Sequence, residues 1–191
     1  MQQQEVKQLF EKNKALLSGH FKLSSGLHSD AYFQSALILQ YPNEAEKLGA
    51  EIAALVKSEN IKIDTVVSPA LGGLIIGQEV ARSLGVRAIF TERVDGQVML
   101  RRGFSVVKDE KILVVEDVIT TGLSTREVIN AIQEQGAKAA AVASLVDRSA
   151  GKADFGVPKF SLLTLEVKSY KESDCPMCKL GAAAVKPGSR K

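Results

Sequence analysis

The clearest pattern in the chain is an alternation of short apolar runs with longer amphipathic segments. Runs typical of buried strands lie at 64–67, 86–90, 111–115, 139–146 and 160–167. Apolar residues at helical spacing predict helices over 74–84 and 123–135, with Gly136 at the end of the second. Strands that alternate with helices predict an α/β fold, in which a mostly parallel sheet is covered by helices on both faces.

The first part of the chain follows a different pattern. Apolar positions near helical spacing predict a helix over 3–17. Two strand-like pieces around the turn at 24–26 then predict a hairpin or a bent strand. Asn43 is a suitable N-cap for a further helix over about 44–57. The segment 91–110 lacks a clear core pattern, and the tail from residue 169 is polar.

The most informative segment joins the apolar run at 112–115 to the helix that begins near residue 123. Glu116 and Asp117 follow the apolar run, and a turn rich in hydroxyl groups, with Gly122 in it, comes next. Backbone N–H groups and the helix dipole at such a junction favour a phosphate, and a glycine lets the backbone approach it. Carboxylates instead suit sugar hydroxyls. The turn at 116–125 therefore predicts a ligand such as a ribose 5-phosphate, although a strand ending in solvated acids is the plainer alternative.

Composition narrows the classes of function. Hydrophobic residues make up 45% of the 191 residues, charged residues 25%, and the net charge is +3, as in ordinary globular domains. This charge is too small to indicate nucleic acid as a partner. The longest apolar run, 139–146, is too short to cross a bilayer, and the N-terminus lacks an apolar signal-peptide core. We expect no nucleic-acid or membrane partner and a cytoplasmic location. Neither a P-loop nor a dinucleotide fingerprint is found.

The segment VVEDVITTGLST at 114–125 resembles the phosphoribosyl-pyrophosphate signature of type I phosphoribosyltransferases. Further segments resemble the orotate-using members of that family: FKLSSG through YF at 21–33, TER at 91–93, LRRGF at 100–104 and LVDR at 145–148. The resemblance covers roughly residues 10–170. It implies the type I phosphoribosyltransferase fold as a single domain over 1–191, in which about 1–40 and the C-terminal tail form a small N-terminal hood and about 41–167 form the core.

The resemblance also implies an activity. Members of this family transfer ribose 5-phosphate from phosphoribosyl pyrophosphate (PRPP) to orotate, giving orotidine 5′-monophosphate and pyrophosphate in pyrimidine nucleotide biosynthesis. Mg²⁺ is implied as a cofactor bound through substrate and water, without a firm direct protein ligand. A homodimer is implied, in which the basic segment 91–108 is a lid over the neighbouring subunit's site. A related enzyme for a purine or other base, a regulatory relative without catalysis, and a solvated hairpin at 91–108 stay open as alternatives.

Matching positions to the family gives three groups of candidate residues. The catalytic group is Glu116, Asp117, Arg93, Arg101 and Arg102. The PRPP-binding group is Glu116, Asp117, Val118, Ile119, Thr120, Thr121, Gly122, Leu123, Ser124 and Thr125, together with Ala70, Leu71, Gly72 and Gly73 of the loop at 68–73. The orotate-binding group is Thr120, Arg148, Ser24, Ser25, Gly26, Tyr32 and Phe33.

Alternatives to these assignments follow from the residues themselves. The guanidinium fork of Arg148 suits the carboxylate of orotate, but a surface ion pair with Asp147 is also open. Tyr32 and Phe33 could have plain core roles instead. The loop at 68–73 could be no more than a strand-to-helix turn.

Several features depart from the family pattern or lie outside it. Many orotate-using members carry a lysine near Ser24, another at Gly72, and a lid with lysine and histidine; this chain does not. Its two histidines, His20 and His28, lie outside the lid, where we expect local structural roles. Cys175-Pro176-Met177-Cys178 is a lone C-x-x-C pair. Without a second pair we expect reduced thiols rather than a complete zinc site in one subunit, with a site shared across a dimer or a disulfide as alternatives.

Overall fold

The computed structural model describes residues 1–23 and 25–187, which form two sheets with helices packed around them. Their helices are α1 Gln3–Lys12, α2 Ala36–Leu39, α3 Pro42–Ser58, α4 Leu74–Leu84, α5 Leu123–Gln133 and α6 Pro176–Lys179. Their strands are β1 Leu16–Lys22, β2 His28–Phe33, β3 Thr65–Pro69, β4 Arg87–Val94, β5 Gln97–Leu100, β6 Lys111–Ile119, β7 Lys138–Asp147, β8 Lys159–Thr164 and β9 Ser169–Tyr170.

The larger sheet confirms the predicted architecture. Its strands lie in the order β5-β4-β3-β6-β7-β8, and every neighbouring pair is parallel except β4 and β5. Side chains alternate between the two faces of a strand. In β6, Leu113 and Val115 belong to the apolar cluster that includes α3 and α4, whereas Ile112 and Val114 belong to the cluster that includes α5. Helices therefore cover both faces of the sheet.

The smaller sheet is antiparallel and combines the two ends of the chain. β1 and β2 form the expected hairpin, and β9 of the C-terminal tail pairs with β2. Further along the tail, the amide of Val185 donates to the carbonyl of His20 at 2.8 Å, and the amide of Lys22 donates to the carbonyl of Val185 at 2.8 Å. The tail is thus held along both edges of the hairpin.

The predicted helix over 3–17 is wrong in its second half, because α1 ends at Lys12. Lys14 adopts a left-handed backbone conformation with φ 56°, which a helix cannot continue. The amide of Ala15 bonds back to the carbonyl of Phe10 at 2.8 Å. The chain then reverses, and the residues after Ala15 enter β1.

The predicted N-cap at Asn43 is also wrong. Helix α3 begins at Pro42, with Tyr41 at the N-cap position. The fixed backbone angle of proline suits the first helical position, where a missing N–H costs nothing. Asn43 therefore lies inside the first turn. The predicted helix over 123–135 is slightly too long, because α5 ends at Gln133, two residues earlier.

Two segments expected to be irregular belong to strands. Within 91–110, β4 continues to Val94 and turns through Asp95 and Gly96 into β5. Both turn residues have positive φ, 50° and 84°, as a tight hairpin requires. Strand β6 likewise continues through the start of the predicted turn at 116–125. No described helix is long and apolar enough to span a membrane.

Candidate active site

The ends of three parallel strands meet at one edge of the large sheet. β3 ends at Pro69, β6 at Ile119 and β7 at Asp147. Ile119 lies opposite Asp147 in the register, and the amide of Arg148 donates to the Ile119 carbonyl at 2.8 Å. This is the edge at which open α/β sheets bind ligands.

Two cavities open at this edge. The larger, of about 560 Å³, is lined by Leu23, Ser25, Leu27, Tyr32, Thr120, Thr121, Arg148, Val167 and Ser169. The smaller, of about 240 Å³, is lined by Pro69, Ala70, Gly72, Thr91, Glu92, Arg93, Val98, Glu116 and Ser124. The junction between β6 and α5 borders both, because Thr120 and Thr121 line the larger cavity while Glu116 and Ser124 line the smaller.

The junction has the geometry of an anion-binding loop. Gly122 has φ 77°, and a Cβ added there would lie 2.8 Å from the ring of Phe155, so only glycine fits. The amides of Thr120, Thr121 and Gly122 have no hydrogen-bond acceptor among the described residues. Helix α5 begins directly after them and adds the positive end of its dipole. The exposed amides can therefore bind an anion such as a phosphate.

Arg126 supports this loop and was not among the predicted site residues. Its guanidinium donates to the carbonyl of Thr121 at 2.8 Å and to that of Asp154 at 3.0 Å. It also lies over the ring of Phe155, 5.2 Å from the centroid. Its position in the first turn of α5, just after the hydroxyl-rich loop, is the sequence signal that could have identified it.

Glu116 is a buried carboxyl in the wall of the smaller cavity. Its residue is 5% exposed, and the hydroxyl of Ser124 donates to its Oε1 at 2.5 Å. Burial raises the pKa of Glu116 to about 7, and the neighbouring charge of Asp117 adds to the rise, while the bond from Ser124 opposes it. A carboxyl with such a pKa changes charge near neutral pH.

Asp117 lies against the loop that follows β3. Burial raises the pKa of its carboxyl above the usual range. A Cβ added to Gly72 would lie 2.7 Å from Oδ1 of Asp117. Any side chain at position 72, such as the lysine of many family members, would therefore require this carboxylate to move. The peptide bond between Ala70 and Leu71 in the same loop is cis.

The remaining residues of the predicted 68–73 loop differ in their surroundings. Ala70 and Gly72 line the smaller cavity. Leu71 is 83% exposed. A Cβ on Gly73 would lie 2.9 Å from the carbonyl oxygen of Val115, so this glycine allows the loop to pack on β6. Ser68, predicted to be in the loop, belongs to β3.

Arg148 is a partly buried cation at the larger cavity, and no carboxylate of the described residues pairs with it. Its Nη2 lies 3.5 Å from the hydroxyl of Ser29, its guanidinium lies 5.6 Å from the ring centroid of Phe33, and its buried Nε has no partner among the described residues. Burial lowers its pKa, and the charge of Asp30 opposes this shift. The alternative pairing with Asp147 does not occur, because Asp147 binds Lys159 at 2.6 Å. Arg148 can therefore bind an anionic ligand.

Four of the seven predicted orotate-binding residues meet at the larger cavity: Ser25, Tyr32, Thr120 and Arg148. Phe33 is buried beneath Arg148, with its ring 6.2 Å from that of Phe10, so it has the core role left open above. Gly26 is not in the lining, and Ser24 lies outside the described residues. The tail residues Val167 and Ser169 were missed, because β9 joins the hairpin only through tertiary pairing.

The three arginines of the 91–108 segment bind glutamates within the described chain. Arg93 pairs with Glu127, with Nη1 and Oε1 3.2 Å apart, and it lines the smaller cavity. Arg101 and Arg102 lie 3.6 and 2.6 Å from the carboxylate of Glu92. These two arginines line neither cavity.

The fold places two further potential metal ligands beside the cysteines, which the sequence analysis did not foresee. His20 and His28 of the hairpin lie beside Cys175 and Cys178 of the tail, with all four potential ligand atoms within 4.8 Å of one another. The sequence separates these pairs by about 150 residues, so only the fold of the tail onto the hairpin brings them together.

Comparison with known proteins identifies the family of this chain. The family profile described as "Phosphoribosyl transferase domain" matches residues 36–172. A protein of Carboxydothermus hydrogenoformans named orotate phosphoribosyltransferase is 54% identical over 183 residues, covering 96% of each chain. One of the same name from Pelotomaculum thermopropionicum is 53% identical over the full length of both chains. The crystal structure of orotate phosphoribosyltransferase from Aeropyrum pernix is 25% identical, with a TM-score of 0.66, and the match covers 92% of this chain and 98% of that one.

The buried carboxyl of Glu116 leads to a prediction for stability. Folding raises its pKa from 4.5 to about 7, so the folded state binds more protons than the unfolded state between these values. The free energy of unfolding therefore falls as the pH rises through this window. Relative to Glu116→Gln, the wild type should lose about 2–3 kcal/mol between about pH 5 and pH 8, measured by urea unfolding.

Glu110→Gln is the matched control for this measurement. Glu110 is also buried, but hydrogen bonds from Thr65, the Val107 amide and Arg87 outweigh burial and lower its pKa. The difference in unfolding free energy between the wild type and Glu110→Gln should therefore stay constant above pH 5. Parallel pH profiles for the wild type and Glu116→Gln would contradict the raised pKa.

Proposed function

The chain belongs to the phosphoribosyltransferase family and, within it, to the orotate phosphoribosyltransferases, and we propose that it transfers ribose 5-phosphate from PRPP to orotate. The products are orotidine 5′-monophosphate and pyrophosphate. One observation carries the assignment of the site: a single strand-to-helix junction borders two cavities. One cavity has an arginine without a carboxylate partner among the described residues, and the other has a buried carboxyl. A sugar phosphate bound at this junction would face the base on one side and the diphosphate on the other.

The larger cavity suits orotate. Orotate is planar and carries a carboxylate, which the fork of Arg148 can bind with two hydrogen bonds. Leu23, Leu27 and Val167 provide apolar surface, and Tyr32 provides an aromatic ring. Hydroxyl groups of Ser25 and Thr120 are available for the ring carbonyls. Uracil lacks the carboxylate and would leave Arg148 without its partner, which explains how the cavity would select orotate.

The junction suits the sugar phosphate. We assign the 5-phosphate to the free amides of Thr120, Thr121 and Gly122 at the start of α5. Arg126 holds the Thr121 carbonyl away from this anion, so the amides rather than the carbonyl face it. Glu116 and Asp117 would accept hydrogen bonds from the ribose hydroxyls in their ionised forms.

Catalysis by this site would rest on position and charge. Loss of pyrophosphate places positive charge on the ribose ring, and carboxylates held in a partly buried site stabilise such charge more strongly than they could in water. The junction fixes the sugar between the two cavities, so the base and the leaving group lie on opposite sides of the reacting carbon. This removes the entropic cost of aligning them during the reaction.

We propose Mg²⁺ as the cofactor. The donors that face the smaller cavity include the carboxylate of Glu116 and the hydroxyl of Ser124, with the Asp117 carboxylate beside them, and oxygen donors are those that Mg²⁺ prefers. These residues would hold the ion mainly through water and the substrate. When bound, Mg²⁺ would neutralise the diphosphate and make it a better leaving group. A nearby cation would also favour the ionised forms of both carboxyls.

We further propose a homodimer in which the segment 91–108 acts on the neighbouring subunit. Arg101 and Arg102 bind Glu92 and line neither cavity of their own chain. Positive charge that could neutralise a diphosphate thus lies near the site without entering it. If the two arginines released Glu92 and bound a diphosphate in the partner subunit, they would bring positive charge to the leaving group. The closed segment would also exclude water from that site.

The location that we propose for this enzyme is the cytoplasm. Both cysteines are free thiols in the fold, a state typical of reducing compartments. Of the two substrates, PRPP is a highly charged phosphorylated metabolite, which is synthesised and retained inside cells.

A competition assay tests the assigned reaction. The protein, PRPP and Mg²⁺ are mixed with orotate, uracil, hypoxanthine or adenine, and loss of the base absorbance is followed. Orotate should be consumed, with turnover of the other bases lower by at least about tenfold, because one charge-assisted bond contributes about 1.5–3 kcal/mol. Turnover of a purine but not of orotate would contradict the assignment. Binding to RNA or DNA in a gel-shift assay without any turnover would instead support a regulatory relative.

Replacement of Arg148 tests the base cavity. Arg148→Ala should raise the KM for orotate by about 10- to 100-fold, with the KM for PRPP little changed, because the guanidinium faces only the larger cavity. Arg148→Lys should restore little of the affinity for orotate, since an ammonium group cannot form the two parallel hydrogen bonds of a guanidinium. The matched control is Arg82→Ala, which removes an exposed arginine paired with Glu46 and Glu79 on the helical face. An unchanged KM for orotate in Arg148→Ala would remove this residue from the site.

Mixing of inactive variants tests the shared site. An Arg101→Ala/Arg102→Ala lid variant is refolded with Asp117→Asn at equal concentrations. If the lid acts across the dimer, half of the dimers contain one intact site, and activity should reach about a quarter of the wild-type value. Mixing Asp117→Asn with Glu116→Gln is the control, because both changes affect the same site and no intact one forms. Absence of recovery in verified heterodimers would contradict action across the dimer.

A further inference from the structure

A second chemical site lies where the C-terminal tail crosses the N-terminal hairpin. It consists of His20 on β1, His28 on β2, Cys175 just before α6 and Cys178 within α6. The four potential ligand atoms lie within 4.8 Å of one another. Cys175 is fully buried, and His28 and His20 are 2% and 8% exposed. None of these side chains lines either cavity of the candidate active site.

Three nitrogen–sulfur distances in the cluster match those of a tetrahedral metal site. Nε2 of His20 lies 3.4 Å from Sγ of Cys175 and 3.7 Å from Sγ of Cys178, and Nδ1 of His28 lies 3.2 Å from Sγ of Cys178. Bonds of about 2.3 Å to sulfur and about 2.0–2.1 Å to nitrogen separate ligands of tetrahedral zinc by about 3.5 Å. The two histidine nitrogens, 2.8 Å apart, would have to separate by about 0.7 Å to reach that spacing.

The hydrogen bond on the far side of His20 supports this arrangement. Its Nδ1 lies 2.9 Å from the backbone carbonyl of Ala182. A carbonyl only accepts, so Nδ1 carries the proton and the lone pair of Nε2 points into the cluster. Metal-bound histidines commonly bind a carbonyl in this way, which fixes the tautomer and the ring orientation. His28 presents Nδ1 to the cluster, and its buried Nε2 has no partner within the described ranges.

We propose that this cluster binds one Zn²⁺ as a structural site within a single chain. Two sulfur and two nitrogen ligands form the donor set that favours zinc over Mg²⁺ or Ca²⁺. Four protein ligands complete a tetrahedron and leave no position for a substrate. Binding releases the protons of the two thiols, so two thiolates neutralise the 2+ ion and the site carries no net charge. A neutral site agrees with the burial of its ligands.

The ion would add four strong bonds between the hairpin and a tail that is otherwise held by few backbone hydrogen bonds. The regular structure of the described tail beyond β8 consists of short elements: the two-residue strand β9, a 3-10 turn at Glu172–Asp174 and the four-residue helix α6. Its ligands, Cys175 and Cys178, would be bound to neighbouring strands of the hairpin. The same hairpin and tail provide Leu23, Ser25, Leu27, Val167 and Ser169 to the larger cavity. The zinc would therefore stabilise the wall of that cavity without contact with the ligand in it.

The metal content of the purified protein tests this proposal directly. Wild-type protein, expressed with zinc in the medium and purified with a non-chelating reductant, should contain about one zinc per chain by mass spectrometry of the metal. Cys175→Ser and Cys178→Ser should retain less than about a tenth of that amount. The matched control is Asp174→Ser, which places the same residue at an exposed neighbouring position and should retain the full zinc content.

A second measurement uses wild-type protein and does not depend on how the variants fold. Removal of the metal with a chelator should lower the melting temperature by roughly 10 °C, because a tightly bound ion stabilises only the folded state. Addition of Co²⁺ to the metal-free protein should produce the intense visible bands of a tetrahedral ion and a thiolate charge-transfer band. These spectra report the ligand set independently of transferase activity.

Three outcomes would overturn the proposal. One is folded wild-type protein that contains no zinc and gives no tetrahedral cobalt spectrum. Another is zinc content in Cys178→Ser equal to that of the wild type. The third is a disulfide between Cys175 and Cys178 in protein alkylated immediately after lysis. Each of these results would leave the assigned transferase reaction untouched, since turnover of orotate is measured separately.

Discussion

Parallel pairing of β3, β6 and β7 is the constraint on which the candidate active site depends. Parallel strands end at the same edge, so three segments far apart in the chain deliver their following residues to one place. The register of these strands then determines which residues become neighbours. Because Ile119 lies opposite Asp147, Arg148 lies beside Thr120. The apolar residues of β6 hold this register, since a shift of one residue would move Leu113 and Val115 to the face packed on α5, and Ile112 and Val114 to the face packed on α3 and α4, and so disrupt both clusters.

The burial of charge at this edge is costly and is only partly compensated within the described chain. Glu116 and Asp117 have raised pKa values because burial disfavours their charged forms. Arg148 has a lowered pKa for the same reason and lacks a carboxylate partner. Carboxylates on one side and a cation on the other are what a ligand with sugar hydroxyls and an anionic base requires. The free protein thus has an arrangement that a substrate would stabilise.

Local patterns in the sequence predicted the core of the fold well. The bounds of α4 were predicted to the residue, because its apolar face is periodic and Gly85 ends it. The β6–α5 junction was predicted from two acids, hydroxyl groups and Gly122, since its chemistry lies within fourteen consecutive residues. The errors lie where short-range signals compete: Leu16 fitted the helical spacing of α1, but the left-handed backbone at Lys14 ended that helix.

Contacts between distant parts of the chain could not be predicted from such patterns. The contribution of Val167 and Ser169 to the larger cavity depends on the pairing of β9 with β2. The approach of His20 and His28 to the cysteines depends on the same packing. A C-x-x-C pair supplies two potential metal ligands, and only the tertiary fold places two more beside them. The preference of Arg93 for Glu127 likewise depends on how the β4–β5 hairpin lies over α5.

The pairing of the tail with the hairpin has a consequence for biosynthesis. The large sheet is complete once β8 has been made, whereas β9, α6 and Val185 emerge from the ribosome after it. Until they do, both outer edges of the hairpin lack their partners and the larger cavity lacks part of its wall. A nascent chain should therefore acquire the ability to hold a sugar phosphate before it can discriminate among bases, because domains begin to fold from the N-terminal side during translation.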